Sequence, residues 1–357
     1  MKDKIITITF LSFITILGAL HIVIKDETIS STERRKLSTF PKFSLKSEYI
    51  TKVDEYLLDH FPLRDTFRSI KAKFNYNILN KLDNNGIYLK DNYIFKSNYP
   101  TNNKSITNFI NKTNKIKELF NKNNNVYIMA VPDKNYYLEE ELFLHIDYDY
   151  IYNEINKLNF NNIDIRDIME LSDYYETDTH WKQENLDKVV KRISKNMNFE
   201  YKNIVYKVNS YDKFYGVYYG ESAINRSPET IKYLTNDIIE NAYVKYLENK
   251  ELNKVYNVNK LKSLDSYEVY LDGASSFIEI TNENSLNDKE LVIFRDSFGS
   301  SITPLLIPYY KKITVIDNRY INSDNFMNYI EFNNQDILFI YSTLIINDSM
   351  SLKGEVK

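Results

Sequence analysis

Cysteine is missing from this 357-residue chain, which excludes disulfides, thiolate metal sites and a cysteine nucleophile. Glycine is scarce: only seven occur, and neither a P-loop nor a Rossmann glycine fingerprint can be assembled from them. Histidine is scarcer still, at four residues without HExxH-type spacing, so neither zinc nor another cofactor is expected. An excess of one charge is lacking too. Lys and Arg number 46 against 49 Asp and Glu, a net of −3, which leaves no basic footprint for nucleic acid.

Apolar and aromatic residues are plentiful. Hydrophobic content is 43%, with 31 tyrosines and 20 phenylalanines, enough for a sizeable buried core. Ile5 to Ile24 is an uncharged, mostly apolar run. As a helix rising about 1.5 Å per residue it matches the ~30 Å hydrocarbon core of a bilayer. It ends in "ALHIVIK" without an A-x-A exit, which predicts an uncleaved anchor rather than a signal peptide. Lys2 and Lys4 on one side face Lys25, Arg34, Arg35 and Lys36 on the other, so the positive-inside rule does not decide orientation.

After the run, "STERRKLSTFPKFSLKS" reads as a tether. "VDEYLLDHFPLRDTFRSIKAKFNYNILNKL" reads as helix on either side of Pro62, with Phe67, Ile70, Phe74, Ile78 and Leu82 as an apolar stripe. "GIYLKDNYIFKS" alternates about Asp91-Asn92 like a hairpin. A helix is predicted over 105–122, then a strand in "NVYIMAV" and another in "IDIRDIM". An amphipathic helix from Trp181 carries Leu186, Val189, Val190, Ile193 and Met197 on one face. The segment 200–285 shows no strong period and stays unassigned. Near the end, "ELVIFRD", "KKITVIDN" and "DILFIYS" are strands separated by helices, which implies parallel pairing. Functional residues of such sheets collect beyond the strands' carboxyl ends, here Pro132-Asp133-Lys134, Asp296-Ser297 and Asn318-Arg319-Tyr320.

In "FRDSFGSS", Ser297 sits where a strand meets a helix whose first N–H groups are unsatisfied and able to donate to an oxyanion. Gly299 allows a tight turn and close approach of substrate. The plain alternative is that the serine merely caps a helix. A serine nucleophile needs a base, and histidine is the usual one. His21 lies in the apolar run. His180 in "YYETDTHW" has Asp178 two residues before it, a spacing that lets the carboxylate orient the ring. The same residues read equally well as a helix cap with His180 and Trp181 packing on it. His60 beside Asp59 reads as packing or docking, and His145 in "LFLHIDYD" lacks a strand-turn-helix setting. The tyrosines of the middle segment fit either a glycan-stacking groove or core.

Taken in order, "ERRKLSTFPKF", "DHFPLRD", "VPDK", "YYETDTHW", "DSYEVYLDG", "RDSFGSS" and "VIDNRY" are similar to the DHHW family of bacterial surface proteins. More distantly the chain resembles the SGNH-hydrolase-like proteins that O-acetylate alginate. The resemblance implies Ser297 as nucleophile, His180 as base and Asp178 as its orienting carboxylate. Arg319, Gly299 and Trp181 are the substrate- or oxyanion-binding candidates. The family name implies Asp-His-His-Trp, whereas this chain reads Asp178-Thr179-His180-Trp181, and serine follows the Asp-His element, as in a permuted SGNH arrangement.

The expected fold is therefore α/β: an SGNH-hydrolase-like three-layer domain with a mostly parallel, permuted sheet. The expected organisation is a membrane anchor over 1–24, a tether and helical segment over 25–95, and a catalytic domain over 96–357. The resemblance implies an outward-facing, single-pass O-acetyltransferase that passes acetyl through Ser297 to a polysaccharide, partnered by a membrane-bound O-acyltransferase. An acetyl esterase with the same residues and a non-catalytic surface assembly protein are the competing readings.

Overall fold

The computed structural model describes residues 2–138 and 143–353. The chain divides into two compact units, Met1–Tyr88 with Val217–Ser227, and Leu89–Gly216 with Pro228–Lys357.

The first unit begins with helix α1, Lys2–Val23, none of whose residues is buried. Its length and apolar composition suffice to cross a membrane. Helices α2, Glu48–Asp59, and α3, Arg64–Asn77, follow on either side of Pro62. A polar network joins the tether to this helical corner. Arg35 pairs with Asp59 at 2.5 Å, and Glu33 receives Arg64 at 2.7 Å and Arg68 at 3.1 Å. The Arg35 hydrogen bonds hold the Asp59 carboxyl far below the usual range, assisted by the Ser38 N–H. The His60 ring meets Ser38 O at 2.8 Å. The predicted stripe on α3 exists but is exposed, with Ile70 at 57% and Phe74 at 50%.

The second unit is built on a seven-stranded sheet. In chain order its strands are β1 Val126–Val131, β2 Asn161–Asn162, β3 Tyr243–Tyr246, β4 Phe277–Thr281, β5 Glu290–Arg295, β6 Lys312–Ile316 and β7 Asp336–Ser342. Across the sheet the order is β3-β4-β6-β5-β7-β1-β2. The five strands from β6 to β2 are parallel, and β4 and β3 add antiparallel at one edge. Strands such as VYIMAV and DILFIYS are buried along their whole length, because helices cover both faces and neither face meets water. Leu291 and Ile293 of β5 point into one core with α6, Asp187–Met197, and α7, Ser297–Leu306. Val292 and Phe294 point into the other, with α4, Asn103–Lys117, and α5, Tyr148–Asn156. This is the expected α/β arrangement with a mostly parallel sheet between two helical layers.

Two local expectations are corrected, and one unassigned segment gains its structure. "IDIRDIM" is not a strand: pairing with β1 involves Asn161 and Asn162, and the chain then turns, with Arg166 folded back onto Asp164 at 2.6 Å. No helix starts at Trp181. Residues Gln183–Asn185 form one 3-10 turn and α6 begins at Asp187, although Leu186, Val189, Val190, Ile193 and Met197 are buried as predicted. The unassigned 200–285 segment supplies β3, β4 and an antiparallel pair, Lys207–Phe214 with Glu229–Thr235. Its tyrosines 246, 256, 267 and 270 are buried, so they are core rather than an open stacking groove.

Phe294 is fully buried, its ring stacked on Phe339 at 4.8 Å and edge-on to Phe326 at 5.6 Å. Phe294→Ala should cost about 3–5 kcal/mol of unfolding free energy in denaturant titrations of the purified chain. A loss below about 1 kcal/mol would contradict its central position in the core.

Candidate functional site

Strand β5 runs into α7 through Asp296, whose extended backbone makes it the helix cap. One carboxylate oxygen accepts from the Phe298 N–H at 2.9 Å. The other accepts from the backbone N–H and hydroxyl of Ser342, both at 2.7 Å, at the end of β7. Gly299 N–H donates to Asp296 O at 3.1 Å. Among the described residues nothing accepts from the Ser297 N–H, which leaves a donor beside the serine hydroxyl at the positive end of a helix.

Beneath this turn lies Arg295, fully buried. It pairs with Asp317 at 3.2 Å and donates to Gly273 O at 3.1 Å. Burial pulls its guanidinium below the ordinary value, with Asp317 opposing the shift.

The stretch "YYETDTHW" folds as a tight loop rather than a helix start. Tyr174 and Trp181 face each other across an antiparallel bridge, and Tyr175 N–H donates to His180 O at 3.1 Å. At the tip, the Glu229 carboxylate accepts from the N–H groups of Glu176 and Thr177, both at 2.7 Å. Gly216 closes against this tip: a Cβ there would stand 2.1 Å from Thr177 O, so only glycine fits.

The loop presents Asp178 and His180 to Ser297. Asp178 Oδ1 accepts from the His180 backbone N–H at 3.0 Å and lies 2.6 Å from His180 Nδ1. That carboxylate holds the proton on Nδ1, which leaves Nε2 to accept from Ser297 Oγ at 2.8 Å. Tyr267 stacks on the imidazole, 3.8 Å between centroids and 9° from coplanar. The Tyr267 hydroxyl and the Trp181 indole N–H both donate to Ser301 Oγ at 2.8 Å, one turn into α7. Ring and nucleophile are therefore registered against the same helix. Asp178 and His180 are nearly closed to solvent. The arrangement can move a proton from a serine hydroxyl to an imidazole while a backbone N–H meets a developing oxyanion.

Lys134 lies just beyond the end of β1. Its ammonium donates to Tyr175 O at 3.1 Å and Glu176 O at 3.0 Å, with the Phe95 ring 5.3 Å away. Burial pulls its pKa from 10.5 down to about 7, and the charge of Asp178 is the first of the influences that oppose the shift.

Of the residues singled out from sequence, the fold brings Ser297, His180 and Asp178 into one hydrogen-bonded series. The other three lie differently. Trp181 is fully buried with its N–H engaged, so it braces the site and offers no surface to a substrate. A Cβ at Gly299 would stand 2.5 Å from Arg295 Cβ, so that glycine serves packing within the chain rather than ligand approach. The Arg319 guanidinium is held by Asp317 at 2.9 and 2.7 Å, tying it to Arg295 through a shared carboxylate. His145 Nδ1 is bonded to Ile146 O at 2.8 Å, and its ring stacks on Tyr148. His60 belongs to the first unit. Tyr267, Ser301, Glu229 and Lys134 escaped the sequence reading as site residues. Tyr267 and Lys134 stand inside the quoted "DSYEVYLDG" and "VPDK", but nothing local marks either as a neighbour of His180 or Asp178. Among the described residues no cluster of His, Asp or Glu is suited to hold a metal ion.

The same fold occurs in known structures. A DHHW family protein from Eubacterium siraeum superposes with a TM-score of 0.62 at 21% identity, over 74% of this chain and 93% of that one. Bacillus cereus PatB1 superposes with a TM-score of 0.58 at 19% identity, over 74% of this chain and 97% of its own. PatB1 bearing a sulfonyl adduct gives 0.58 at 20% identity, over 73% and 95%. No family model matches the sequence, and no curated protein is significantly similar to it. The resemblance to the DHHW family thus has a counterpart in three dimensions, and at these identities the likeness is one of fold.

The buried amine gives a pH signature. Lys134 loses its proton near pH 7 in the folded chain but near 10.5 when unfolded. Between those values the unfolded state holds the extra proton, so this residue's contribution to stability rises with pH. Unfolding free energies of the wild type and Lys134→Met should diverge from about pH 7 to about pH 10, the wild type gaining. Parallel curves would mean that the amine stays charged in its pocket.

Proposed function

We propose that this protein is an O-acetyltransferase that carries acetyl on Ser297 and delivers it to hydroxyl groups of a cell-surface or secreted polysaccharide. The observation that carries the reading is the series Asp178–His180–Ser297, with 2.6 Å and 2.8 Å links. The Ser297 N–H at the start of α7, which has no acceptor among the described residues, supports it.

Ser297 Oγ attacks the carbonyl carbon of an acetyl donor while His180 Nε2 takes the hydroxyl proton. The tetrahedral oxyanion forms beside the Ser297 N–H, and the imidazolium is stabilised by Asp178. Collapse expels the donor's leaving group, which takes the proton from His180. A glycan hydroxyl then attacks acetyl-Ser297, giving its proton to His180. The C–Oγ bond breaks and His180 returns that proton to Ser297. In this scheme α1 holds the chain in the membrane with the second unit outside, and the acetyl comes from a membrane-bound O-acyltransferase.

The donor of a sulfonyl adduct is a probe for an activated hydroxyl, and Bacillus cereus PatB1 is known in such a form. A serine-directed sulfonyl fluoride should label the intact protein at Ser297. Labelling should fall about 10³-fold or more in His180→Ala and strongly in Asp178→Asn. Ser297→Ala should abolish polymer acetylation in cells. With a chromogenic acetyl ester and oligosaccharides, acetylated sugar is the expected product. Release of acetate alone would make the protein an esterase, and unchanged polymer acetylation in Ser297→Ala would overturn the assignment altogether.

A further inference from the structure

Helix α3 is turned inside out for a water-soluble surface helix. It buries Ala72 and Asn75, the latter donating to Asn84 Oδ1 at 2.8 Å. It exposes Phe67, Ile70 and Phe74, followed by Ile78 and Leu82, at 38%, 57%, 50%, 63% and 65%. At about 100° per residue, positions 67, 70, 74 and 78 fall within roughly 80° of arc, on the side away from Ala72. Lys71 and Lys73 lie on the two flanks of that stripe, both exposed.

The apolar surface continues beyond α3. Phe61 meets Phe67 edge-on at 5.8 Å. Leu57, Leu58 and Leu63, on and after α2, are 42%, 67% and 60% exposed. So many large apolar side chains exposed on one helix and the corner before it are not what water selects on a free surface.

The position of the patch indicates what covers it. The corner between α2 and α3 is joined to the end of α1: His21 Nδ1 lies 3.1 Å from His60 O, and the His21 ring meets Tyr56 edge-on at 6.0 Å. A chain that leaves a bilayer at the end of α1 therefore leaves it at this corner. Aromatic and aliphatic side chains on one side with lysines along both borders is the pattern of a helix lying in the headgroup region. The lysine stems lie along the apolar edge while their ammonium groups reach phosphates and water.

We propose that α3 and the α2–α3 corner are seated in the outer boundary of the same bilayer that α1 spans, with Phe67, Ile70, Phe74 and Ile78 among the lipid chains. The partner is the lipid surface itself. This rests on the reading of α1 as a membrane anchor, and the test separates the two.

Because the chain lacks cysteine, single cysteines can be placed for spin labels in the full-length protein, reconstituted into vesicles of phosphatidylcholine and phosphatidylglycerol. Ile70→Cys, Phe74→Cys and Ile78→Cys report the stripe, Thr66→Cys and Lys73→Cys the flank, and Ile14→Cys the middle of α1. Every replaced side chain is exposed, so none of the variants removes a core contact. Collision with oxygen relative to a water-soluble nickel chelate should be several-fold higher at 70, 74 and 78 than at 66 and 73, and highest at 14. If 70, 74 and 78 are as open to nickel as 66 and 73 while 14 remains in lipid, the interfacial seat is wrong and the anchor stands. If 14 is itself open to nickel, the anchor fails and the seat fails with it. If the stripe is shielded from both oxygen and nickel, protein covers it, and the lipid assignment is overturned.

Discussion

One carboxylate, Asp296, stands between the scaffold and the chemistry. With one oxygen it caps α7, and with the other it holds Ser342 at the end of the neighbouring strand. The serine that follows is thereby fixed both to a helix start and to the rim of a parallel sheet. The hydroxyl and the N–H of Ser297 thus stand together at a helix start, where no intrahelical bond consumes the N–H. Arg295 and Asp317, buried directly before and beside this turn, make a second tie to the adjoining strand. Such a pair contributes little net stability by itself, because desolvation offsets its attraction. Its role is geometric: the end of β5, the end of β6 and the Gly273 loop are held in one arrangement.

The other half of the site depends on a loop, and loops move unless they are tied. This one is tied at three places. Glu229 holds its tip, Lys134 donates to two of its carbonyls, and Trp181 anchors its return to Ser301 of α7. The imidazole is positioned by these contacts as well as by Asp178. Preorganisation of this kind removes the cost of reorienting groups at the moment of reaction.

Much of this was legible from the chain. The apolar strands around "ELVIFRD", "KKITVIDN" and "DILFIYS" announce parallel pairing because each is apolar on both faces, a local property. The Asp178–His180 spacing and Ser297 at a strand end are likewise local. What was not legible is set by contacts distant in sequence. The reading of a helix from Trp181 failed because the N–H groups of His180 and Lys182 go to Asp178 and Asp173, and no periodicity reports such bonds. Tyr267 stacking on His180 comes from a 3-10 turn in a stretch without hydrophobic period. Gly299 and Trp181 stand beside the nucleophile and the base in sequence, but close packing on Arg295 and a bond to Ser301 give them other work. On α3 the apolar period is local and legible, whereas the outward direction of the stripe is set by tertiary contacts.

The hydroxyl and the imidazole are contributed by positions 117 residues apart, histidine first. While the chain is being synthesised, His180 and its loop emerge well before β5, β6 and β7 exist, and the loop's docking partner Ser301 is still unmade. Ser297 follows β5 directly, so its 2.8 Å contact with His180 can form only after that strand has been made. The contact is thus closed from the carboxyl-terminal part of the chain, onto a loop made 117 residues earlier.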